Sequence, residues 1–232
     1  MWKAQHSLLA LSAATAALLG VDAARSKTVG VRTLDAYTLI GEHNLHSGFE
    51  ALSGKDRVRV VVEMPAGSSE KWEVDPQDGA LRLRIKNGLP RYVDYLPLPV
   101  NYGSIPGTWS VAWGAEEEPL DAVVLGPAAE RGTLLHARVL GVLRIAEDGV
   151  RDDKLITVPE EGPFSELADL AELQARYPGA LELLESWLAG ASRGEARGIG
   201  DLAEARGLVR DSVRSFRSRN ELGQDRILLS SR

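Results

Sequence analysis

Read as a pattern of apolar and polar positions, the chain becomes legible at Arg57. Val58, Val60 and Val62 alternate with Arg57, Arg59 and Val61, the period-two pattern of a strand. Leu81, Leu83 and Ile85 alternate with Arg82, Arg84 and Lys86, which predicts a half-buried strand with a basic outer face. Asp78-Gly79 ahead of it predicts a hairpin turn. Residues 122–125 read as a short apolar strand ended by Gly126-Pro127, residues 133–145 as a long β-rich run interrupted at Gly141, and residues 155–158 as a strand stopped by Pro159. Five or more short strands separated by turn signals predict a closed or barrel-like sheet.

Beyond Pro159 the period lengthens. Residues 164–177 are rich in Leu, Ala and Glu and break at Pro178-Gly179. Leu181, Leu184 and Leu188 fall at helical spacing in residues 180–189. Asp201 is placed to cap a last helix, with Leu202, Ala205, Val209, Val213 and Phe216 on one stripe and Arg206, Arg210, Arg214 and Arg217 on the opposite face. The stripe predicts core packing, the arginines a solvated face, and the polar tail from Ser218 a frayed end. Strands followed by helices give an α+β, mainly β, fold class. Between Ala24 and Gly54 no period is legible. His43 and His46 lie there without a helix signal around them and are expected at the surface.

Composition adds exclusions. The 232 residues, 44% of them hydrophobic, suffice for one domain with tails. A net charge of −6 disfavours sequence-independent nucleic-acid binding, which needs clustered Lys and Arg, and suits a protein that holds cations. The absence of cysteine removes disulfides, thiolate nucleophiles, Cys-ligated zinc and lipoprotein anchoring. Lys3, the uncharged Leu/Ala-rich residues 8–20 and Val21-Asp22-Ala23 together form the pattern of a secretory signal cleaved near Ala23. That stretch is short for a bilayer span, which needs about 20 apolar residues. The expectation is a periplasmic or secreted protein with no membrane span.

The candidate chemistry is acidic. Glu116-Glu117-Glu118-Pro119-Leu120-Asp121 precedes an apolar strand, and Glu147-Asp148 with Arg151-Asp152-Asp153-Lys154 lies at a turn between two strands. Each is compatible with a solvated, charged loop, and in the first a divalent cation would relieve the same carboxylate repulsion. Glu63, Lys71 and Glu73 lie at the end of one strand and the start of the next.

Taken in order, Glu63-Met64-Pro65, Lys71-Trp72-Glu73, Leu98-Pro99-Val100-Asn101-Tyr102-Gly103, Glu116-Glu117-Glu118-Pro119-Leu120-Asp121, Val123-Val124-Leu125-Gly126, Gly141-Val142-Leu143, Glu147 and Asp152-Asp153-Lys154 resemble the family I soluble inorganic pyrophosphatases. The resemblance runs from about Val60 to Glu185. It implies a distorted OB-like five-stranded β-barrel with peripheral α-helices, and Mg²⁺-dependent hydrolysis of pyrophosphate or a related phosphoanhydride. Several ions per site are implied, with Mn²⁺ or Zn²⁺ as substitutes. Among the site residues, Glu116, Asp121 and Asp152 would hold the first two metals, Glu147 with Asp152 a third, and Glu63 a fourth through water, with Glu73 in the same acidic set. Glu118 would help deprotonate the nucleophilic water, and Lys71, Arg91, Tyr102 and Lys154 would bind phosphate oxygens, with Arg84 the alternative to Arg91. A homo-oligomer is implied as well, and the family's usual compartment is the cytoplasm. The expected organisation is signal peptide 1–23, N-terminal extension 24–56, pyrophosphatase-like domain 57–217 and C-terminal tail 218–232.

The chain departs from the family pattern at defined points. Glu116, Glu118 and Glu147 stand where the family has Asp, Leu98 where it has Tyr, and Gly190-Ala191-Ser192 where it has a Tyr-Lys pair, leaving Arg193 as the nearby cation. A catalytically impaired relative that binds metal or phosphate anions is therefore the alternative reading. An oligonucleotide-binding barrel is disfavoured by the acidic loops and by an aromatic content of 6%.

Overall fold

The structure, a computed structural model, describes residues 30–110, 118–192 and 194–230, the side chains of 222–230 excepted. The expected signal segment, Glu116, Glu117 and Arg193 lie outside the described residues. The strands are β1 (Val31–Asp35), β2 (Thr38–Gly41), β3 (Leu52–Gly54), β4 (Arg57–Met64), β5 (Trp72–Val74), β6 (Leu81–Leu83), β7 (Ile85–Lys86), β8 (Leu89–Pro90), β9 (Asn101–Ile105), β10 (Leu120–Val124), β11 (Leu134–Glu147), β12 (Val150–Arg151) and β13 (Lys154–Pro159). Helices α1 (Leu170–Arg176) and α2 (Ala180–Ser192), strand β14 (Glu195–Gly200) and helix α3 (Leu202–Ser230) complete the chain.

Five strands close on themselves. β4 pairs with β9, β9 with β10, β10 with β13, β13 with β11, and β11 returns to β4. Closure removes exposed sheet edges, which a mainly antiparallel sheet otherwise has to protect. This is the OB-like, mainly β arrangement that the sequence predicts, with helices outside. Closure depends on the length of β11: its first third pairs with β4, its middle with β13, and its end with β14 and β12. Gly141 does not interrupt that strand, contrary to the sequence expectation. The β11–β13 register shifts between Val139 and Gly141, and a Cβ on Gly141 would come within 2.6 Å of the Gly200 carbonyl oxygen. The glycine is a point of close backbone approach within a continuous strand.

Alternation along β10 sorts the core into two sides. Leu120, Ala122 and Val124 pack with Val58, Val60, Val62, Leu155 and the Ala205–Val209 face of α3. Val123 packs instead with Leu143, Ile156 and the buried Leu173, Leu184, Trp187 and Leu188 of α1 and α2. The predicted stripe of the last helix is thus core. Asp201 caps that helix, accepting from Glu204 N–H at 2.9 Å, and the helix continues past Ser218 to Ser230. α1 is shorter than its helical composition suggests because Asp169 starts it, accepting from Glu172 N–H at 2.8 Å while the Glu172 carboxylate accepts from Ala168 N–H.

Two further expectations need correction. The alternation Leu81-Leu83-Ile85 does not continue as one strand: Leu81 and Leu83 are buried in β6, whereas Ile85 is exposed in the separate β7–β8 hairpin. A left-handed Asn87-Gly88 turn, with φ of 55° and 77°, folds that hairpin back on itself. His46 is not a surface residue. It is 3% exposed, with its ring 4.6 Å from that of Trp109 and 5.2 Å from that of Phe216, and among the described residues neither ring nitrogen has a hydrogen-bond partner. His43 is exposed as expected.

Candidate active site

Strand register brings the predicted residues together. Asp121 on β10 stands directly opposite Lys154 on the parallel strand β13, so both side chains project on one face. Asp121 also pairs with Ser104 on β9, which places Tyr102, two residues away, on the same face. The contacts follow from this. The Lys154 ammonium donates to Asp121 Oδ2 at 2.6 Å and to Asp152 Oδ1 at 2.5 Å, and the Tyr102 hydroxyl donates to Asp121 Oδ2 at 2.6 Å. Burial pushes the Lys154 ammonium down, but the charges and hydrogen bonds of Asp121 and Asp152 more than offset it, so its pKa is raised above that of an ordinary lysine. Burial, then the charges of Asp121 and Asp152, push the Tyr102 phenol well above its ordinary value, which keeps it a neutral donor.

Glu63 approaches from β4. The β4–β9 register shifts between Val62 and Met64, so Glu63 is the extra residue of a β-bulge. Its buried carboxyl accepts from Ser104 Oγ at 2.7 Å and from Val74 N–H at 2.8 Å. Burial raises its pKa well above the carboxylate range, the charge of Asp121 adds to this, and the two hydrogen bonds oppose it.

A cavity of about 420 Å³ opens beside this cluster, and Glu118, Asp121, Glu147 and Asp152 all line it. Glu118 keeps an exposed face. Loss of surrounding water, then the charges of Asp121, Glu73 and Asp152, nevertheless push its carboxyl up to about 7 against the opposing effect of Lys154. Ser110 N–H donates to the Glu118 carbonyl at 2.7 Å.

The basic residues form a ridge. Lys71 N–H donates to the Arg91 carbonyl, Arg84 N–H to the Lys71 carbonyl and Arg91 N–H to the Arg84 carbonyl, which ties the three backbones together. Glu73 is occupied by cations, with Lys71 at 3.2 Å and Arg84 at 2.9 Å. Among the described residues the Arg91 side chain has no ion pair, which leaves it the more available of the two arginines.

The all-oxygen donor set suits a hard cation such as Mg²⁺. The positive charge between Asp121 and Asp152 is the Lys154 ammonium. Among the described residues no three acidic or imidazole groups enclose one point, and Glu116 lies outside them.

The sequence profile of the Pyrophosphatase family, described as inorganic pyrophosphatase, matches residues 60–217. The chain belongs to the inorganic pyrophosphatase family. It is 39% identical over 114 residues to an inorganic pyrophosphatase of Gluconobacter oxydans, a match covering 47% of this chain and 60% of that protein's length. It is 28% identical over 167 residues to the Corynebacterium efficiens enzyme, covering 69% of this chain and 99% of the relative. Among solved structures, the type I inorganic pyrophosphatase of Toxoplasma gondii superposes with a TM-score of 0.72 at 20% identity, over 80% of this chain and 96% of that one. An N-terminally truncated vacuolar soluble pyrophosphatase of Trypanosoma cruzi, solved with PPi, superposes with a TM-score of 0.70 at 19% identity, over 95% and 99% of the two chains. At these identities the superpositions speak for the fold.

Within this pyrophosphatase fold, several motif residues serve the scaffold. Asn101 is buried, accepting from Ala66 and Ala129 N–H and donating to the Val124 and Pro127 carbonyls. Leu98 is buried against the helical core and contributes no hydroxyl. Gly190 leaves room for Tyr95: a Cβ there would fall 2.7 Å from the Tyr95 ring. Sequence reasoning missed Ser104, which bonds Glu63, and Asp153, described below. A small polar residue on a strand and one acid among several carry no distinguishing signal.

Proposed function

We propose that this chain is a magnesium-dependent inorganic diphosphatase, splitting the P–O–P bond of pyrophosphate with one water to release two phosphates. The observation that carries the reading is the grouping of Asp121, Asp152 and Lys154 by strand register, with Glu118 and Glu147 around the same cavity.

Glu116, Asp121, Glu147 and Asp152 are the residues that would hold Mg²⁺, with Glu63 and Glu73 in the same acidic set and Mn²⁺ or Zn²⁺ as substitutes. Bound ions supply a more acidic water and neutralise phosphoryl oxygens. The chain supplies the rest. Glu118, pushed up to about 7, is matched to accept a proton near neutral pH. Lys154 stays charged and Tyr102 stays an O–H donor, both suited to phosphate oxygens once they release Asp121. Lys71 and Arg91 present cations for the departing phosphate, which keeps Arg91 ahead of Arg84.

The test is phosphate release by the purified protein with and without Mg²⁺. Release that requires Mg²⁺ supports the reading, and its absence at saturating Mg²⁺ overturns it. The rival, a non-catalytic binder of metal or phosphate anions, draws on the buried Leu98 and on Gly190, both positions without a phosphate-binding side chain. Retained Mg²⁺ and phosphate binding without hydrolysis would favour it.

We also propose that residues 1–23 direct export and are removed, giving a periplasmic or secreted enzyme, and that it forms a homo-oligomer. A mature N-terminus near Ala24 by mass spectrometry, and a mass above 25.1 kDa by light scattering, are the expected results.

A further inference from the structure

The Asp152 loop is shaped by a residue the catalytic reading leaves unused. β11 and β12 are joined through Asp148-Gly149, both left-handed, with φ of 50° and 80°. Ala146 pairs with Arg151 on β12, and Leu143 pairs with Lys154 on β13. Asp152 and Asp153 therefore cross between two strands. Asp152 N–H donates to the Ile145 carbonyl at 2.8 Å, and the Ile145 N–H on the same residue is met by a side chain. That side chain is the Asp153 carboxylate, accepting from Ile145 N–H at 3.3 Å, and its other oxygen accepts from Arg151 Nε. Its side chain is 3% exposed, so the carboxylate is a buried part of the ladder. Because side chains alternate along an extended segment, holding Asp153 on one side aims Asp152 and Lys154 to the other, where the Lys154 ammonium bonds Asp121 and Asp152.

The bracing extends to α3. Arg151 lies 3.8 Å from Glu204 in the first turn of that helix, and Arg144 makes a two-pronged pair with the same carboxylate, at 2.9 and 2.5 Å. The network joins Arg144 on β11, Glu204 on α3, Arg151 on β12 and Asp153 at the crossing, next in sequence to Asp152.

We infer that Asp153 is a positioning residue: its buried carboxylate, braced through Arg151 and Glu204, fixes the spacing of Asp152 and Glu147 and so sets the affinity for Mg²⁺. The inference rests on the proposed metal role of those two acids. Asp153 acts through its neighbours and does not touch the ion.

The test measures Mg²⁺ binding by titration calorimetry on the full chain, for the parent, Asp153→Ala, Asp153→Asn and Arg151→Gln, with hydrolysis followed separately. Asp153→Ala is expected to weaken Mg²⁺ binding about tenfold. Asp153→Asn keeps an acceptor for Ile145 N–H and is expected to restore most of the affinity. Parent-like binding by Asp153→Ala overturns the inference, as does an equal loss of affinity in the Asn and Ala variants. If Asp153→Ala does not fold, Arg151→Gln carries the test: a several-fold weakening is expected, and no change overturns the inference. Calorimetry needs no substrate, so a parent that binds Mg²⁺ without hydrolysing pyrophosphate separates failure of the proposed function from failure here.

Discussion

Replacing Lys154 by methionine tests whether one ammonium holds the place of a metal ion. The two oxygens it bonds, at 2.6 and 2.5 Å from one nitrogen, can be no more than about 5 Å apart. Two carboxylates at that distance repel by about 3 kcal/mol at an effective dielectric constant near 20. Breaking a buried pair by removing one partner typically destabilises by about 3–5 kcal/mol, which agrees. The metal-free Lys154→Met protein should therefore melt well below the parent. At about 2–4 °C per kcal/mol for a chain of this size, a loss of 3 kcal/mol lowers Tm by about 10 °C. Mg²⁺ should reverse much of this, because in the variant it meets two free carboxylates, whereas in the parent it must first displace an ammonium. The assay is thermal unfolding over an Mg²⁺ titration, and the Mg²⁺-induced rise in Tm should be larger in the variant than in the parent. Hydrolysis should fall about 10²–10³-fold, the scale for losing one transition-state donor. A metal-free variant as stable as the parent, or an equal Mg²⁺ response in both, would refute the reasoning.

Three further outcomes follow from single residues. Glu118, with its carboxyl near 7, is largely protonated at pH 6, so Mg²⁺ should bind more tightly as pH rises to about 7 and release a proton at pH 6, read by calorimetry in two buffers of different ionisation enthalpy; a pH-independent affinity contradicts it. His46 is pushed by burial from 6.5 to about 4, so the unfolded chain takes up the proton first: stability should fall as pH drops from 6.5 towards 4, by at most about 3 kcal/mol, and level off below. His46→Leu should lose that part of the acid sensitivity in urea unfolding at pH 5 and pH 8, and an unchanged difference between the two pH values counts against the assignment. Gly103→Ala puts a Cβ 1.9 Å from the Val61 carbonyl oxygen, which forces β4 and β9 apart, and should destabilise by more than about 3 kcal/mol; a parent-like Tm would show that the strands can yield.

What the sequence made legible was whatever one segment decides by itself. The alternation of Val58, Val60 and Val62, the Asp201 cap and the α3 stripe are local, and the folded chain keeps them. What it hid depends on a second segment. β14, with glycines at 198 and 200 and no alternation, is a strand because β11 offers it an edge. Ile85 continues a perfect alternation yet leaves β6, because the Asn87-Gly88 turn gives the chain a competing hairpin. His46 looks like a loop histidine until Trp109 and Phe216 arrive from distant parts of the chain to cover it.

The site divides along the same line. Tyr102, Asp121, Asp152 and Lys154 could be read as a set because they fall in the order of the family's motifs, but no spacing in the sequence says that Asp121 and Lys154 stand side by side. Their juxtaposition comes from the one parallel pairing in the barrel, between β10 and β13, and a one-residue slip there would turn Asp121 away from the ammonium and towards the α3 side of the core. That register is in turn guarded from both sides, by Ala122 and Val124 against the α3-facing core and by Val123 against the core beneath α1 and α2. The apolar alternation that defines the barrel is therefore also what aims the carboxylates.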